Sequence, residues 1–93
     1  MAELVEVMKA LACKQRVKIL QLLKSHPLCV NAITRKLGIT QSAVSQHLRV
    51  LRKAGLIVPD RRGYWTHYSV DADAMEKCAG AIGRLFTVES KGT

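Results

Sequence analysis

Apolar residues recur at helical spacing in the first quarter of the chain. They predict two amphipathic helices, over residues 3–12 and 15–24, because side chains three or four positions apart share one face of a helix. The apolar positions are Leu4, Val5, Met8 and Leu11 in the first helix and Val17, Ile19, Leu20, Leu22 and Leu23 in the second. The second helix is expected to end at His26, since the proline that follows disfavours helical geometry in the residue before it.

A glycine turn joins the next two helices. Apolar residues at helical spacing predict a helix over about residues 30–37, and Gly38 supplies the positive φ with which many helices end. Thr40 is a good N-cap for the following helix, because its hydroxyl can accept a hydrogen bond from an amide of the first turn. A helix, a short turn and a second helix over about residues 30–54 form the helix-turn-helix layout.

The fourth helix, residues 41–53, has two unlike faces. Val44, Leu48 and Leu51 form the face that we expect to be buried. The side chains on the opposite face are Ser42, Ser45, Gln46, Arg49 and Lys53. A helix that only filled a core would have no use for small polar side chains at its start and charges further along.

Two short strands are predicted after the fourth helix. Residues 56–58 and 64–70 are rich in β-branched and aromatic residues, and the segment DRRG between them predicts a tight basic tip with Arg61 and Arg62. The aromatic side chains that we expect to pack on the strands, rather than to stack on bases, are Tyr64 and Trp65.

A last helix is predicted over about residues 72–88. Asp71 can act as its N-cap, and its apolar stripe consists of Met75, Cys78, Ala79, Ile82, Leu85 and Phe86. Together with the first helix, over about residues 2–12, it presents more apolar surface than one small core can cover. We therefore expect the two terminal helices to pair with those of a second copy of the chain.

The charge is concentrated in the middle of the chain. Fifteen Lys and Arg residues stand against seven Asp and Glu residues, which gives a net charge of +8 over 93 residues. Between Val7 and Pro59 the sequence has no acidic residue and ten basic ones. A basic middle favours a polyanionic partner, because Lys and Arg gain affinity by releasing counterions from phosphates. The alternative is a basic surface that has no partner.

Several classes of protein are disfavoured by what the sequence lacks. No run approaches the roughly 20 apolar residues of a membrane span, and the start does not have the pattern of a signal peptide. Three widely spaced cysteines make a poor disulfide framework, so we expect a cytoplasmic protein without membrane partners. Catalytic triads, glycine-rich phosphate loops, paired carboxylates and metal-ligand clusters are absent from the sequence, so we expect neither an enzyme nor a cofactor required for folding.

The elements together predict one winged helix-turn-helix domain over residues 1–93. It is mainly α with a small β-hairpin (α+β), in the order α-α-α-α-β-β-α, with the wing over about residues 56–70. A recognition helix meets the major groove of DNA with its N-terminal part. The residues predicted to contact double-stranded operator DNA are Thr40, Gln41, Ser42, Ser45, Gln46, Arg49, Lys53, Arg61 and Arg62.

These contacts differ in kind. Short Ser and Gln side chains at the start of the fourth helix reach base edges, and Gln forms a bidentate pair with adenine. Arg49 and Lys53 lie further along and suit phosphates, which fix register rather than sequence. Arg61 and Arg62 on the hairpin suit the adjacent minor groove or its phosphates. The alternative interpretation is that Ser42 and Ser45 are ordinary first-turn residues.

The chain resembles the ArsR/SmtB family of small winged-helix repressors. The segments that show the resemblance are ALACKQRVKILQLL, LCVNAITRKLGITQSAVSQHLRVLRKAGLI and RRGYWTHYSV, within about residues 8 to 70. The resemblance implies a homodimer in which the first and last helices of the two subunits pack together. It also implies a repressor that leaves its operator when an effector binds.

The resemblance implies little about the effector. Members that sense arsenite or soft metals carry several thiolates at the helix before the recognition helix, where this chain has Cys29, Asn31 and Thr34. Members that sense zinc-like ions use histidines on the last helix, which has none here. Cys13, Cys29 and Cys78 are either sensory thiols, for a soft metal, arsenite or an oxidant, or small apolar residues of the interior. No metal site is assigned.

Two further hypotheses remain beside an effector-controlled repressor. One is a winged-helix module that docks an acidic protein through its basic face. The other is a DNA-binding repressor without a small-molecule effector. The polar face of the fourth helix argues against the first of these, because a protein-docking surface has no need of side chains suited to base edges.

Overall fold

The computed structural model describes residues 2–89, which form five helices and three strands within that range. In chain order they are α1 Ala2–Leu11, α2 Lys14–Ser25, β1 Leu28–Cys29, α3 Val30–Leu37, α4 Gln41–Lys53, β2 Ile57–Arg62, β3 Trp65–Val70 and α5 Ala72–Phe86. This is the predicted mainly helical winged helix-turn-helix fold, with one strand more than the sequence pattern indicates. No helix in this range is long and apolar enough to cross a bilayer.

The predicted caps fix where α4 and α5 begin. The hydroxyl of Thr40 accepts a hydrogen bond from the amide of Ala43 at 3.1 Å, and the carboxylate of Asp71 accepts one from the amide of Ala74 at 3.1 Å. Each cap satisfies an amide that has no partner within its helix. Gly38 ends α3 with a φ of 71° and donates its amide to the carbonyl of Thr34, so the turn between α3 and α4 is the predicted one.

The extra strand, β1, lies at one edge of a three-stranded antiparallel sheet of order β1-β3-β2. Leu28 is opposite Tyr68 and Cys29 is opposite His67. Two residues are too few to show the alternation of a strand. β1 forms because it pairs with β3, which is distant in the sequence.

The predicted DRRG tip of the hairpin is wrong. β2 continues through Arg62, which pairs with Trp65, so the loop consists of Gly63 and Tyr64 alone. Gly63 has a φ of 63°, and glycine is favoured at the first position of such two-residue loops because that position requires a positive φ. Arg61 and Arg62 therefore lie on a strand, and their directions are set by the sheet.

The two aromatic residues of the hairpin do not pack on the strands as expected. Tyr64 is fully exposed, and Trp65 keeps 55% of its surface in solvent. Tyr64 is a loop residue. Trp65 is the last paired residue of the β2–β3 ladder on the side of the loop, and no side chain within residues 2–89 buries it.

The core lies between the helix-turn-helix, α2 and the base of the hairpin. The predicted buried face of α4 is confirmed, with Val44 and Leu51 fully buried and Leu48 2% exposed. The buried face of α1 differs from the predicted one. Leu4 is buried as predicted and Leu11 packs against the core, but the other buried residues are Val7 and Ala10, and Val5 is exposed.

α5 leaves the body of the subunit with an apolar stripe that is largely uncovered. It has no fully buried residue, and Leu85 and Phe86 are exposed. The radius of gyration is 15.2 Å, against about 12 Å for a compact chain of this length. A single residue, Asp71, separates β3 from α5, and its amide donates to the carbonyl of Leu56 at 2.9 Å.

Candidate nucleic-acid interface

α4 presents one continuous polar face to solvent. Its opposite face is held in the core by Val44, Leu48 and Leu51, so the direction of every outward side chain is fixed by packing. All seven residues predicted for this surface are exposed: Thr40, Gln41, Ser42, Ser45, Gln46, Arg49 and Lys53. The structure therefore places the α4 part of the predicted site on one accessible surface.

The length of this face separates two kinds of contact. From Ser42 to Lys53 the helix rises by about 16 Å, at 1.5 Å per residue, whereas the major groove of B-DNA is about 12 Å wide. A helix that enters with its first turns therefore carries its last turn out to the groove wall. On α4, small neutral donors and acceptors occupy the first turns, and cations occupy the later turns.

The two hairpin arginines are not equivalent. Successive side chains on a strand point to opposite faces of the sheet, so Arg61 and Arg62 do not act together as a basic tip. Arg62 donates from Nε to the carboxylate of Asp60 at 3.0 Å, and both side chains are more than half exposed. Arg61 forms no ion pair within residues 2–89, which leaves its charge free for a phosphate.

His47 lies beside the buried face of α4 and is partly buried. Its Nδ1 is buried and has no hydrogen-bond partner within the described part of the chain. Burial lowers the pKa of His47, and the nearby positive charge of Arg16 lowers it further. The folded structure therefore favours the neutral form of the imidazole.

The three cysteines lie in three different places. Cys13 precedes α2, and the backbone amide of Arg16 lowers the pKa of its thiol by favouring the thiolate, although the side chain makes no capping hydrogen bond. Cys78 lines a groove between α1 and α5 together with Val7. Cys29 lies on β1. All three thiols are free, with no disulfide between any two of them.

Within residues 2–89, one subunit does not form a metal site with three or more protein ligands. No group of three or more His, Cys, Asp or Glu side chains in that range is placed to hold an ion. Next to Cys29, the side chains of Asn31 and Thr34 stand where soft-metal sensors carry thiolates, and neither amide nor hydroxyl oxygen is a soft ligand.

Comparisons with known proteins identify the family. The profile described as "Bacterial regulatory protein, arsR family" matches residues 13–58. The HTH-type transcriptional regulator YbzH of Bacillus subtilis is 40% identical, with 83% of this chain and 92% of that protein covered. The chain belongs to the arsR family. The HTH-type transcriptional regulator NmtR of Mycobacterium tuberculosis is 44% identical over 74% of this chain and 58% of its own length.

Solved structures agree with the arsR assignment. The homodimeric winged helix-turn-helix DNA-binding domain of Mb0332 from Mycobacterium bovis superposes with a TM-score of 0.77 at 28% identity, over 90% of this chain and 79% of that chain. The arsR profile match runs from the residue before α2 to the start of β2. It therefore includes the turn between α3 and α4 and the whole polar face of α4.

The sequence pattern misses two features of the arsR-like surface seen here. The exposed aromatic residues of the hairpin could have been found from the pair Gly63–Tyr64, because a Gly-X loop ends β2 two residues later than DRRG does. The placement of His67 beside Cys29 has no local signal, since it depends on the pairing of β1 with β3.

Proposed function

We propose that the protein is a homodimeric transcriptional repressor that binds double-stranded operator DNA through α4 and the β2–β3 hairpin. The observation that supports this most is the exposed polar face of α4, fixed by three buried side chains on the opposite face. The residues proposed to contact DNA remain Thr40, Gln41, Ser42, Ser45, Gln46, Arg49, Lys53, Arg61 and Arg62.

In this proposal the contacts divide according to depth in the groove. Ser45 and Gln46 contact base edges, where Gln selects adenine through a bidentate pair. Arg49 and Lys53 contact phosphates and fix the register. Arg62 contacts DNA from an orientation that its hydrogen bond to Asp60 fixes. Arg61, on the opposite face of the strand, contacts a phosphate.

Dimerisation is supported by the uncovered surface of α1 and α5. A groove of about 1010 Å³ runs between these helices, and Val5, Leu85 and Phe86 are exposed beside it. A second copy would cover these residues through a two-fold interface, and two copies would place their α4 helices about one turn of DNA apart, roughly 34 Å. The homodimeric state of Mb0332 is consistent with this arrangement.

In this proposal the effector is a soft metal, a metalloid or an oxidant that acts on the cysteine thiols. The lowered pKa of the Cys13 thiol favours its reaction with a metalloid or a mild oxidant. The test is to measure DNA affinity of the reduced protein before and after arsenite, zinc and a mild oxidant. Repeating it with Cys13→Ser, Cys29→Ser and Cys78→Ser shows which thiol responds.

The test of DNA recognition starts from random genomic fragments. We expect the protein to enrich a short inverted repeat, and to bind it at least about a thousandfold more tightly than unrelated duplex at the same salt concentration. Affinity should fall linearly with salt on logarithmic axes, because phosphate contacts release counterions. Equal affinity for all duplexes, with tight capture of an acidic protein instead, would favour the protein-docking alternative.

We also propose that the protein has no catalytic activity. This is supported by the family, which is described as one of regulatory proteins, and by the composition of α4. Its exposed side chains are suited to hydrogen bonding and ion pairing with a duplex, and His47 is partly buried beside the apolar face of the helix.

A further inference from the structure

A second candidate site lies between α3 and the sheet. It is a cleft of about 340 Å³ lined by Cys29, Asn31, Arg35, Trp65 and His67. These residues come from β1, α3 and β3, so the cleft is separate from the polar face of α4 and from the groove between α1 and α5.

The fold brings the two walls together. Cys29 and His67 are opposite each other in the β1–β3 pair, so their side chains leave the same face of the sheet with Cβ atoms about 5 Å apart. Trp65 precedes His67 by two positions and lies on that face as well. Asn31 and Arg35 are four residues apart on α3, and such side chains are neighbours on a helix surface.

The lining is rich in hydrogen-bond donors. A guanidinium, a carboxamide, an imidazole and an indole N–H all border the cleft, and no carboxylate is among the lining residues within the described range. Arg35 forms no ion pair within residues 2–89. His67 also lines the cleft, and its Nδ1 atom is buried without a hydrogen-bond partner within the described part of the chain. A site with this balance favours an anion over a metal ion, because Arg35 would repel a cation.

We propose that this cleft binds a small planar organic carboxylate. Its carboxylate pairs with Arg35, whose guanidinium fits two carboxylate oxygens at once. Its planar part stacks on the exposed indole of Trp65. The cleft is near the lower limit of ordinary ligand sites, about 300 Å³, so the ligand is of the size of benzoate.

Such a ligand would connect the two parts of the molecule that we propose to contact DNA. α3 leads through the turn at Gly38 into α4, and Trp65 and His67 belong to the hairpin strand β3. A carboxylate held from both sides fixes the hairpin relative to α4 and thereby changes operator affinity. This last step rests on the proposed function, whereas binding in the cleft does not.

The ligand test uses the fluorescence of Trp65, because the sequence contains one tryptophan. The reduced full chain is titrated with benzoate, benzamide, cyclohexanecarboxylate and inorganic phosphate. We expect a saturable change with benzoate and at least about tenfold weaker binding of neutral benzamide, since a hydrogen-bonded charge is lost. Cyclohexanecarboxylate, which cannot stack, should also bind more weakly than benzoate.

The matched variants are Arg35→Gln and Lys36→Gln. Both remove one exposed positive charge from α3, but Lys36 does not line the cleft. We expect the first to weaken benzoate about tenfold or more, and the second to leave its affinity within about twofold. Equal weakening by both variants, or benzamide or phosphate binding as tightly as benzoate, would overturn the proposal.

Thiol protection gives a second measurement. Benzoate should slow alkylation of Cys29 and leave the rates at Cys13 and Cys78 unchanged, as read by mass spectrometry; no protection of Cys29 contradicts the proposal. DNA affinity is then measured with and without benzoate. An unchanged affinity refutes the regulatory step, whereas failure to bind any operator refutes the proposed function and leaves the fluorescence result standing.

Discussion

Single side chains on α4 divide into those that hold the helix and those that can contact a partner. The same helix buries Val44 and Leu51 completely and leaves Ser45 and Gln46 exposed. Replacing an exposed residue therefore tests recognition with little effect on folding, because exposed substitutions away from caps and networks change stability by about 0.5 kcal/mol or less.

Gln46→Ala should weaken binding to the selected operator by about 1–3 kcal/mol, because a bidentate contact to adenine is lost. Fluorescence anisotropy with labelled operator at fixed salt measures the change. Gln21→Ala, an exposed glutamine on α2, is the matched control and should bind like the unaltered protein. An equal loss in both variants would argue against a base contact by Gln46.

His47 should make stability depend on pH. Its pKa in the folded chain lies below the ordinary value of about 6.5, so the unfolded chain binds the proton more readily. Stability from this residue is then complete above that value and falls as the pH drops from about 6.5 toward the folded pKa. Urea unfolding midpoints at pH 7.5 and 5.5 measure the effect.

The control pair for this pH dependence is His47→Gln and His26→Gln. His26 is exposed, so its substitution should keep the loss of stability at pH 5.5. His47→Gln should reduce that loss. If the two variants lose the same stability between the two pH values, the packing of His47 is not its cause.

The helices could be predicted from the sequence more fully than the strands. α4 has three turns of alternating apolar and polar positions, a capping threonine and a glycine turn before it, and each of these signals is local. β1 has two residues and forms because Tyr68 and His67 reach it from another part of the chain. The hairpin loop was misplaced because DRRG and Gly63–Tyr64 are both turn-forming, and the register of β2 with β3 decides between them.

In the candidate site too, features with a local sequence signal could be predicted and features that depend on distant residues could not. The α4 residues could be predicted because their exposure follows from helical periodicity and a buried opposite face. The ion pair of Arg62 with Asp60 could not, because it requires both residues to be on one strand face. The cleft at Cys29 could not be predicted either, because Trp65 and His67 reach it only through the pairing of β1 with β3.

The N-cap of α5 should contribute measurably to stability. Asp71→Ala removes the hydrogen bond to the amide of Ala74 and should destabilise the protein by about 1 kcal/mol. Asp73→Ala is the control, because Asp73 lies in the same first turn and is exposed. It should cost only about 0.3 kcal/mol through the helix dipole. Equal losses in urea unfolding would show that the cap is unimportant.

The assembled dimer is needed to explain the shape of the subunit. A chain of 93 residues extends over 58 × 23 × 22 Å, and an apolar helix without a fully buried residue lies along α1. Burial of that helix by a second copy would remove the exposed apolar surface and give the recognition helices a fixed separation.

Leu85→Glu should convert the dimer into a monomer, because it places a charge on the apolar surface proposed for the interface. Analytical ultracentrifugation measures the mass, and circular dichroism checks that the helices remain. Ala72→Glu adds the same charge to the exposed first turn of α5 and should stay dimeric. Operator affinity should fall steeply in the first variant, and a dimeric Leu85→Glu protein would contradict the proposed interface.

The connection of one residue between β3 and α5 restricts the movement of one element relative to the other. Asp71 is held on both sides, by its amide on Leu56 and by its carboxylate on the first turn of α5. If α5 tilts against its counterpart in the other subunit, the strand joined to it has to swing with it. A movement of α5 is therefore transmitted directly to the β2–β3 hairpin, which carries the two arginines proposed to contact DNA.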